Sequence, residues 1–171
     1  MRIFRFKWKI LNFWLDVALI SAAVAVLLYM FFWPVRITGN SMSPVVNAGD
    51  QIVVSRILGF FNKFSAGDLV LVGIDLQNNR ETIVKRIVGE PFDHVVIIGS
   101  NLYINGQAVS YGNLSGNNMD VDVVLREGEY FLLGDNGIIS RDSRHFGPVF
   151  SEQILARAIL RYFPLNSITI Y

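Results

Sequence analysis

Apolar and polar positions follow two regimes along this chain. Residues 10–33 form a nearly unbroken apolar run, interrupted only by Asn12, Asp16 and Ser21. A run of about 24 residues is long enough to cross a bilayer as one helix with some tilt. Trp8 and Trp14 near one end, and Tyr29 and Trp33 near the other, suit the two membrane interfaces. After Pro34 the pattern changes to short alternating or apolar segments parted by Gly, Asn and Asp. Segments 35–38, 51–55, 69–74, 82–88, 94–98, 102–104, 130–133 and 158–163 read as strands. Gly99-Ser100-Asn101 and Asn105-Gly106 read as hairpin turns. Residues 111–121 are polar and rich in Gly and Asn, and read as a loop or insertion. No long helical period follows Trp33. The expected fold is mainly β: an N-terminal transmembrane helix, then a single antiparallel β-barrel or sandwich-like domain.

Composition fits that division. The chain has 171 residues, 52% of them hydrophobic, and a mean hydropathy of +0.41. Arg2, Arg5, Lys7 and Lys9 all precede the apolar run, so the N-terminus is expected to stay cytoplasmic and the rest to lie outside. The expected divisions are a basic segment 1–9, an anchor 10–33 and a β-rich domain 34–171. A cleaved signal peptide would have a shorter apolar core followed by small residues. This run ends instead in Phe31-Phe32-Trp33-Pro34, which favours a retained anchor. Asp16 is expected near the headgroups, its carboxylate reaching water. The domain after the anchor is slightly acidic and shows no basic footprint for nucleic acid. Without cysteine there is no thiol nucleophile, disulfide or thiolate metal site. Two histidines are too few for a His-rich metal centre, and no cofactor is expected.

The candidate chemistry begins just past the anchor, at Gly39-Asn40-Ser41-Met42-Ser43-Pro44. Such clusters are commonly only turns. Its company is Val84-Lys85-Arg86-Ile87-Val88-Gly89, Gly134-Asp135-Asn136 and Ser140-Arg141-Asp142-Ser143-Arg144. A serine hydroxyl needs a base to become a nucleophile. His94 or His145 would serve in a Ser-His-Asp arrangement. A lysine from another strand would serve in the Ser-Lys variant. The sequence around Ser41 lacks the second glycine of a nucleophile elbow, and Ser-x-x-Lys does not occur. Of the lysines after the anchor, Lys63 lies among Phe60, Phe61 and Phe64 in an expected loop, and Lys85 lies in a strand. With a period of two, Ile83, Lys85 and Ile87 share a face. Apolar neighbours desolvate an ammonium and lower its pKa from about 10.4 towards the range where it accepts a proton at neutral pH. The competing reading makes Lys85 an edge-strand charge that guards against aggregation.

These motifs, in this order and behind an N-terminal anchor, resemble type I signal peptidases of the bacterial kind. The likeness runs from the anchor to the last long strand. It implies a membrane-bound serine endopeptidase that removes signal peptides from exported preproteins by a Ser-Lys dyad. In the eukaryotic branch a histidine replaces the lysine; here the residue is Lys85. The resemblance makes Ser41 the nucleophile, Lys85 the general base and Ser140 the hydroxyl that orients the amine. It makes Asp135, Arg86, Asp142 and Arg144 the charged residues that hold the loops of the site. Val35, Ile37, Met42, Val46 and Val84 match substrate-pocket positions, although apolar side chains on strands also serve simply as core. The substrate would be an exported precursor with small residues at the first and third positions before the cut, bound extended along a sheet edge. The partners implied are exported preproteins and the lipid bilayer, on which Phe60, Phe61 and Phe64 would rest unless they pack in the core.

Two departures stand out. Some members carry a hydroxyl two residues before the nucleophile as an oxyanion donor, and this chain has Gly39, leaving water or Thr38 as substitutes. Gly137-Ile138-Ile139 stands where many members have polar residues, which bears on the packing of the loop carrying Ser140. Two rival functions share most of these features. One is a dedicated Ser-Lys peptidase that matures one pilin or conjugation protein. The other is an inactive membrane-tethered β module that binds exported polypeptides.

Overall fold

The structure is a computed structural model that describes residues 2–57, 64–76, 79–112, 114 and 119–171. Lys63, Phe60 and Phe61 lie outside the described residues. The chain forms two compact units, Met1–Trp33 and Pro34–Tyr171. In the first, helix α1 (Arg2–Phe31) runs through the apolar segment. Its stretch Asn12–Tyr29 has a mean hydropathy of 1.8 despite Asn12, Asp16 and Ser21, with no side chain buried within the unit. A helix of that kind is built for surroundings other than water.

The second unit is built from two antiparallel sheets. The larger has eight strands, in the order β1 (Phe32–Arg36), β2 (Gln51–Ser55), β11 (Ile154–Phe163), β3 (Leu69–Leu76), β4 (Asn79–Gly89), β9 (Glu129–Leu133) and β10 (Val149–Phe150), with β12 (Thr169–Ile170) paired to β11. The smaller has the order β7 (Gln107–Val109), β6 (Asn101–Ile104), β5 (His94–Ile98) and β8 (Val121–Val124). Both expected hairpin turns are present. Gly99 takes φ +59 between the paired Ile98 and Asn101, and Asn105 and Gly106 take φ +52 and +79 between Ile104 and Gln107. Left-handed backbone at those positions matches the twist of the flanking strands.

The strands β7, β8, β10 and β12 carry no expectation from the sequence. Each is only two to four residues long, too short for a pattern of period two to stand out in the sequence. The first strand ends at Arg36, so Thr38 lies outside it. The residues after Arg36 instead turn back, with Ile37 N–H donating to Asp50 O and Gly49 N–H to Ile37 O.

Three apolar clusters hold the unit together. Ile37, Met42, Val46, Ile52, Val54, Leu69 and Ala156 form the first, under the Ser41 loop. Val70, Val72, Ile87, Tyr130, Leu132 and Ile154 form the second. Phe64, which lies within the described residues, is buried in this cluster rather than presented outward. Val88, Val95, Ile97, Leu125, Phe131 and Leu133 form the third, where the smaller sheet packs against β4 and β9. Gly89 sits at that junction because nothing larger fits. A Cβ there would lie 2.7 Å from Val95 Cγ2, 2.9 Å from Leu125 Cδ1 and 3.2 Å from Phe131 Cβ.

Gly89→Ala is therefore expected to overpack this junction and to cost about 1–3 kcal/mol. Thermal unfolding of the full chain in detergent would show the loss as a lowered midpoint. An unchanged midpoint would mean that the two sheets separate without strain.

Candidate active site

Three segments far apart in sequence meet at one point. The first is the turn carrying Ser41. Ser43 N–H donates to Asn40 O (3.1 Å) and Val46 N–H to Met42 O (2.9 Å), so the backbone coils tightly after the serine. The Asn40 side chain accepts from Ala48 N–H (3.0 Å) and closes the loop. Arg161 on β11 donates to Val45 O (2.7 Å) and to Asp50 (3.1 Å), tying the same loop to the sheet. Met42 and Val46, pinned in the first cluster, anchor the turn from below.

The second segment is β4. It lies inside the sheet, paired with β3 on one side (Lys85 opposite Val70) and with β9 on the other (Arg86 opposite Leu133). Lys85 is therefore not an edge charge, and its side chain is 2% exposed. Ile87, on the same face, belongs to the second cluster, and half-buried Ile83 packs against it. The amine lies 2.8 Å from Ser41 Oγ and donates to Ser140 Oγ at 3.0 Å. Burial pulls its pKa from 10.5 down to about 8, with Arg144 pushing the same way and the carboxylates Asp142 and Asp135 opposing. Most of these amines are thus protonated at neutral pH, but the neutral form is readily reached.

The third segment follows β9. Gly134 lies flat between the other two. A Cβ on it would strike Ser140 Oγ and come within 2.6 Å of Ser41 O. Asn136 N–H donates to that same Ser41 carbonyl at 3.0 Å, so the two loops are laced together by their backbones. Helix α2 (Ser143–Phe146) is a single turn capped by Asp142. Asp142 is fully buried and paired with Arg144 through two hydrogen bonds of 2.9 Å. It also accepts from Gly134 N–H at 3.1 Å. Burial alone would raise its pKa, but hydrogen bonds from Arg144, Ser140 and Gly134 hold it below the ordinary carboxylate value. Ser140 thus donates to Asp142 and accepts from Lys85, which fixes the amine's direction. Breaking such a buried pair by removing one partner typically costs about 3–5 kcal/mol. Ile138 and Ile139 point outward, so the apolar departure before Ser140 leaves the serine in place.

A second ion pair stands beside the first. Arg86 grips Asp135 with two hydrogen bonds of 2.8 and 2.7 Å and donates its remaining arm to Gly67 O. Tyr111 donates to Asp135 at 3.0 Å. Burial, and then the Asp135 charge, push the phenol pKa well above its usual value. Neither Tyr111 nor Arg161 carries a local sequence signal of its part in the site. Tyr111 opens a polar loop, and an arginine on a half-exposed strand looks like any surface charge.

The apolar candidates divide. Ile37, Met42 and Val46 are buried in the first cluster, whereas Val35 and Val84 are half-buried at its margin. The two histidines stand elsewhere: His94 pairs with Asp122 at 2.7 Å and His145 caps the turn of Asp142. A hydroxyl beside a desolvated amine, itself aimed by a second hydroxyl, is an arrangement suited to nucleophilic attack on an acyl carbon.

Comparison with known proteins gives an independent finding. The family described as "Signal peptidase, peptidase S26" matches residues 10–163. A signal peptidase I from Bacillus licheniformis is 31% identical over 169 residues, spanning 91% of this chain and 90% of that protein. Signal peptidase I T from Bacillus subtilis (strain 168) is 29% identical over 167 residues, spanning 90% and 86% respectively. The crystal structure of a signal peptidase I from Enterococcus faecalis V583 is 28% identical, covers 56% of this chain and 96% of its own, and superposes with a TM-score of 0.47.

The buried amine has a consequence for stability. Between pH 8 and 10.5 Lys85 is neutral when folded but protonated when unfolded, so its contribution to stability rises with pH across that window. Lys85→Met removes the titrating group. Its stability relative to the parent is expected to fall by on the order of 3 kcal/mol from pH 7.5 to pH 10.5. Denaturant midpoints at the two pH values measure this, and a pH-independent difference would mean the amine is not desolvated.

Proposed function

This chain belongs to the signal peptidase family, peptidase S26, and we propose that Ser41 and Lys85 are the nucleophile and general base of its peptidase reaction. It is a serine endopeptidase of the signal peptidase I type, and it removes signal peptides from exported preproteins. The observation that carries the residue assignment is the 2.8 Å separation of Ser41 Oγ and Lys85 Nζ at a buried site.

In this reading the neutral Lys85 amine takes the proton of Ser41 as Oγ bonds to the scissile carbonyl carbon. The Ser41 backbone N–H faces the developing oxyanion. Gly39 offers no side-chain donor, and a Cβ there would meet nothing within 4 Å, which leaves space for solvent beside the exposed Thr38. Collapse of the tetrahedral intermediate breaks the C–N bond, and Lys85 returns its proton to the leaving amine. The acyl-enzyme ester is then cut by water that gives a proton to Lys85, which releases the signal peptide as a carboxylic acid and restores Ser41. Ser140, held by Asp142, keeps the amine aimed at Ser41 throughout. Asp135, Arg86, Asp142 and Arg144 hold the loops around it.

The signal peptide's small residues before the cut rest against Val35 and Val84. Ile37, Met42 and Val46 form the packed floor beneath and limit the depth of these pockets. The apolar helix α1 anchors the enzyme in the bacterial cytoplasmic membrane, with residues 1–9 cytoplasmic and 34–171 outside. The four basic residues before the anchor support that orientation.

Ser41→Ala and Lys85→Ala are each expected to lower kcat for precursor cleavage by at least about 10³-fold. Cleavage by either variant at the parent's rate would remove the dyad. The parent's kcat/KM should rise with pH on a limb centred near pH 8, set by loss of the Lys85 proton. A limb near the ordinary lysine value would show that the amine is hydrated during turnover.

A further inference from the structure

Beside Ser41 lies an open cleft of about 730 Å³ to which the reaction as described assigns no part. It is formed by three segments that already meet at the site. Ser43 and Val45 contribute one side, immediately after the nucleophile; Ser110 and Tyr111 contribute the other; Arg86, Asp135 and Ile138 close the remainder. Pockets that enclose a drug-sized ligand measure roughly 300–1,000 Å³, so there is room for more than one amino-acid side chain.

The position of the cleft decides what enters it. Val84 and Arg86 lie one residue to either side of Lys85 and share a face of β4. Val84 joins the apolar cluster with Val35 and Ile37, whereas Arg86 lines the cleft. Two residues of strand span about 7 Å. An extended polypeptide that places its residues before the cut over Val84 therefore carries those after the cut over Arg86. The nucleophile loop repeats this order, with Ile37 before Ser41 and Ser43 to Val45 after it.

We propose that this cleft is the binding site for the first residues of the mature chain, on the leaving side of the cut, and that Tyr111 and its neighbour Ser110 limit what fits there. The proposal rests on the endopeptidase reading. The chemistry of the walls sets the kind of selectivity. The two charges in the cleft cancel, because Arg86 and Asp135 are locked together by two hydrogen bonds and Tyr111 takes up further accepting capacity of the carboxylate. What remains is hydroxyl, amide and apolar surface. Selection on this side is therefore by size and not by charge.

The test uses the full chain in detergent and three substrates with one signal sequence. Two are precursors that differ only in alanine or phenylalanine at the second position after the cut. The third is a methyl ester of the signal sequence with no residue beyond the cut. Ser110→Trp narrows the cleft, and Ile138→Trp does so from the opposite wall should the first variant fold poorly. For either variant, kcat/KM for the phenylalanine precursor is expected to fall at least about tenfold more than that for the alanine precursor. Hydrolysis of the ester, which shows that the dyad and fold are intact, should stay within about twofold of the parent. An unchanged ratio between the two precursors in both variants, with the ester still hydrolysed, overturns the cleft assignment and leaves the peptidase standing. A parent that cleaves neither precursor removes the endopeptidase reading and the cleft with it.

Discussion

A lysine amine in the interior of a β-sheet has to be held there against its preference for water. Lys85 sits on a strand paired on both sides and is 2% exposed. Loss of hydration destabilises the ammonium more than the amine, and that difference brings the proton affinity near neutrality. The same burial forbids solvent from orienting the nitrogen, so orientation has to come from protein. Two hydroxyls provide it, Ser41 on one side and Ser140 on the other. The rest of the site can be understood as what is needed to keep those three groups together and dry.

Two ion pairs do much of that holding, in different surroundings. Asp142 and Arg144 have no side-chain exposure, and each also bonds to backbone: Asp142 to Gly134 N–H, Arg144 to Gly137 O. A pair so enclosed contributes little by simple attraction, because desolvation offsets most of it. Its value lies in fixing the loop between β9 and α2, and with it Ser140. Arg86 and Asp135 are closer to solvent and bridge β4 to the same loop. Asp142 and Asp135 draw the Lys85 pKa upward while burial and Arg144 draw it down. The balance of these charges therefore tunes the proton affinity of the Lys85 amine, while the pairs brace the loops.

The sequence made some of this readable and concealed the rest for identifiable reasons. The period of two around Lys85 was enough to place Ile83 and Ile87 on its face, and in the fold Ile87 lies in a buried cluster against which half-buried Ile83 packs. The long N-terminal apolar helix was visible from length and hydropathy alone. Asn105-Gly106 announced its turn because few residues other than Asn and Gly accept left-handed backbone readily. Phe64 could have faced outward or inward, and only the packing against Tyr130 decides it. Arg161 and Tyr111 were not legible at all. Their importance comes from which loop they touch, at separations of 116 and 24 residues from Val45 O and Asp135. No local pattern encodes such pairings. Which strands share a sheet was equally hidden, since β7 and β8 of the smaller sheet are too short to be counted and strand order rests on distant pairings.

The hydrogen bond between Ser41 and Lys85, the proposed dyad, joins residues 44 positions apart, and Ser140 lies 55 positions beyond the lysine. Neither contact exists until β4 has been enclosed between its neighbours. In a chain still unfolded, Lys85 is an ordinary hydrated ammonium that cannot act as a base near neutral pH. On the proposed assignment of Ser41 and Lys85, chemical competence thus belongs to the folded architecture and to neither residue alone. By that assignment an unfolded copy is inert towards the polypeptides around it, and towards its own backbone, for want of the enclosure around one nitrogen.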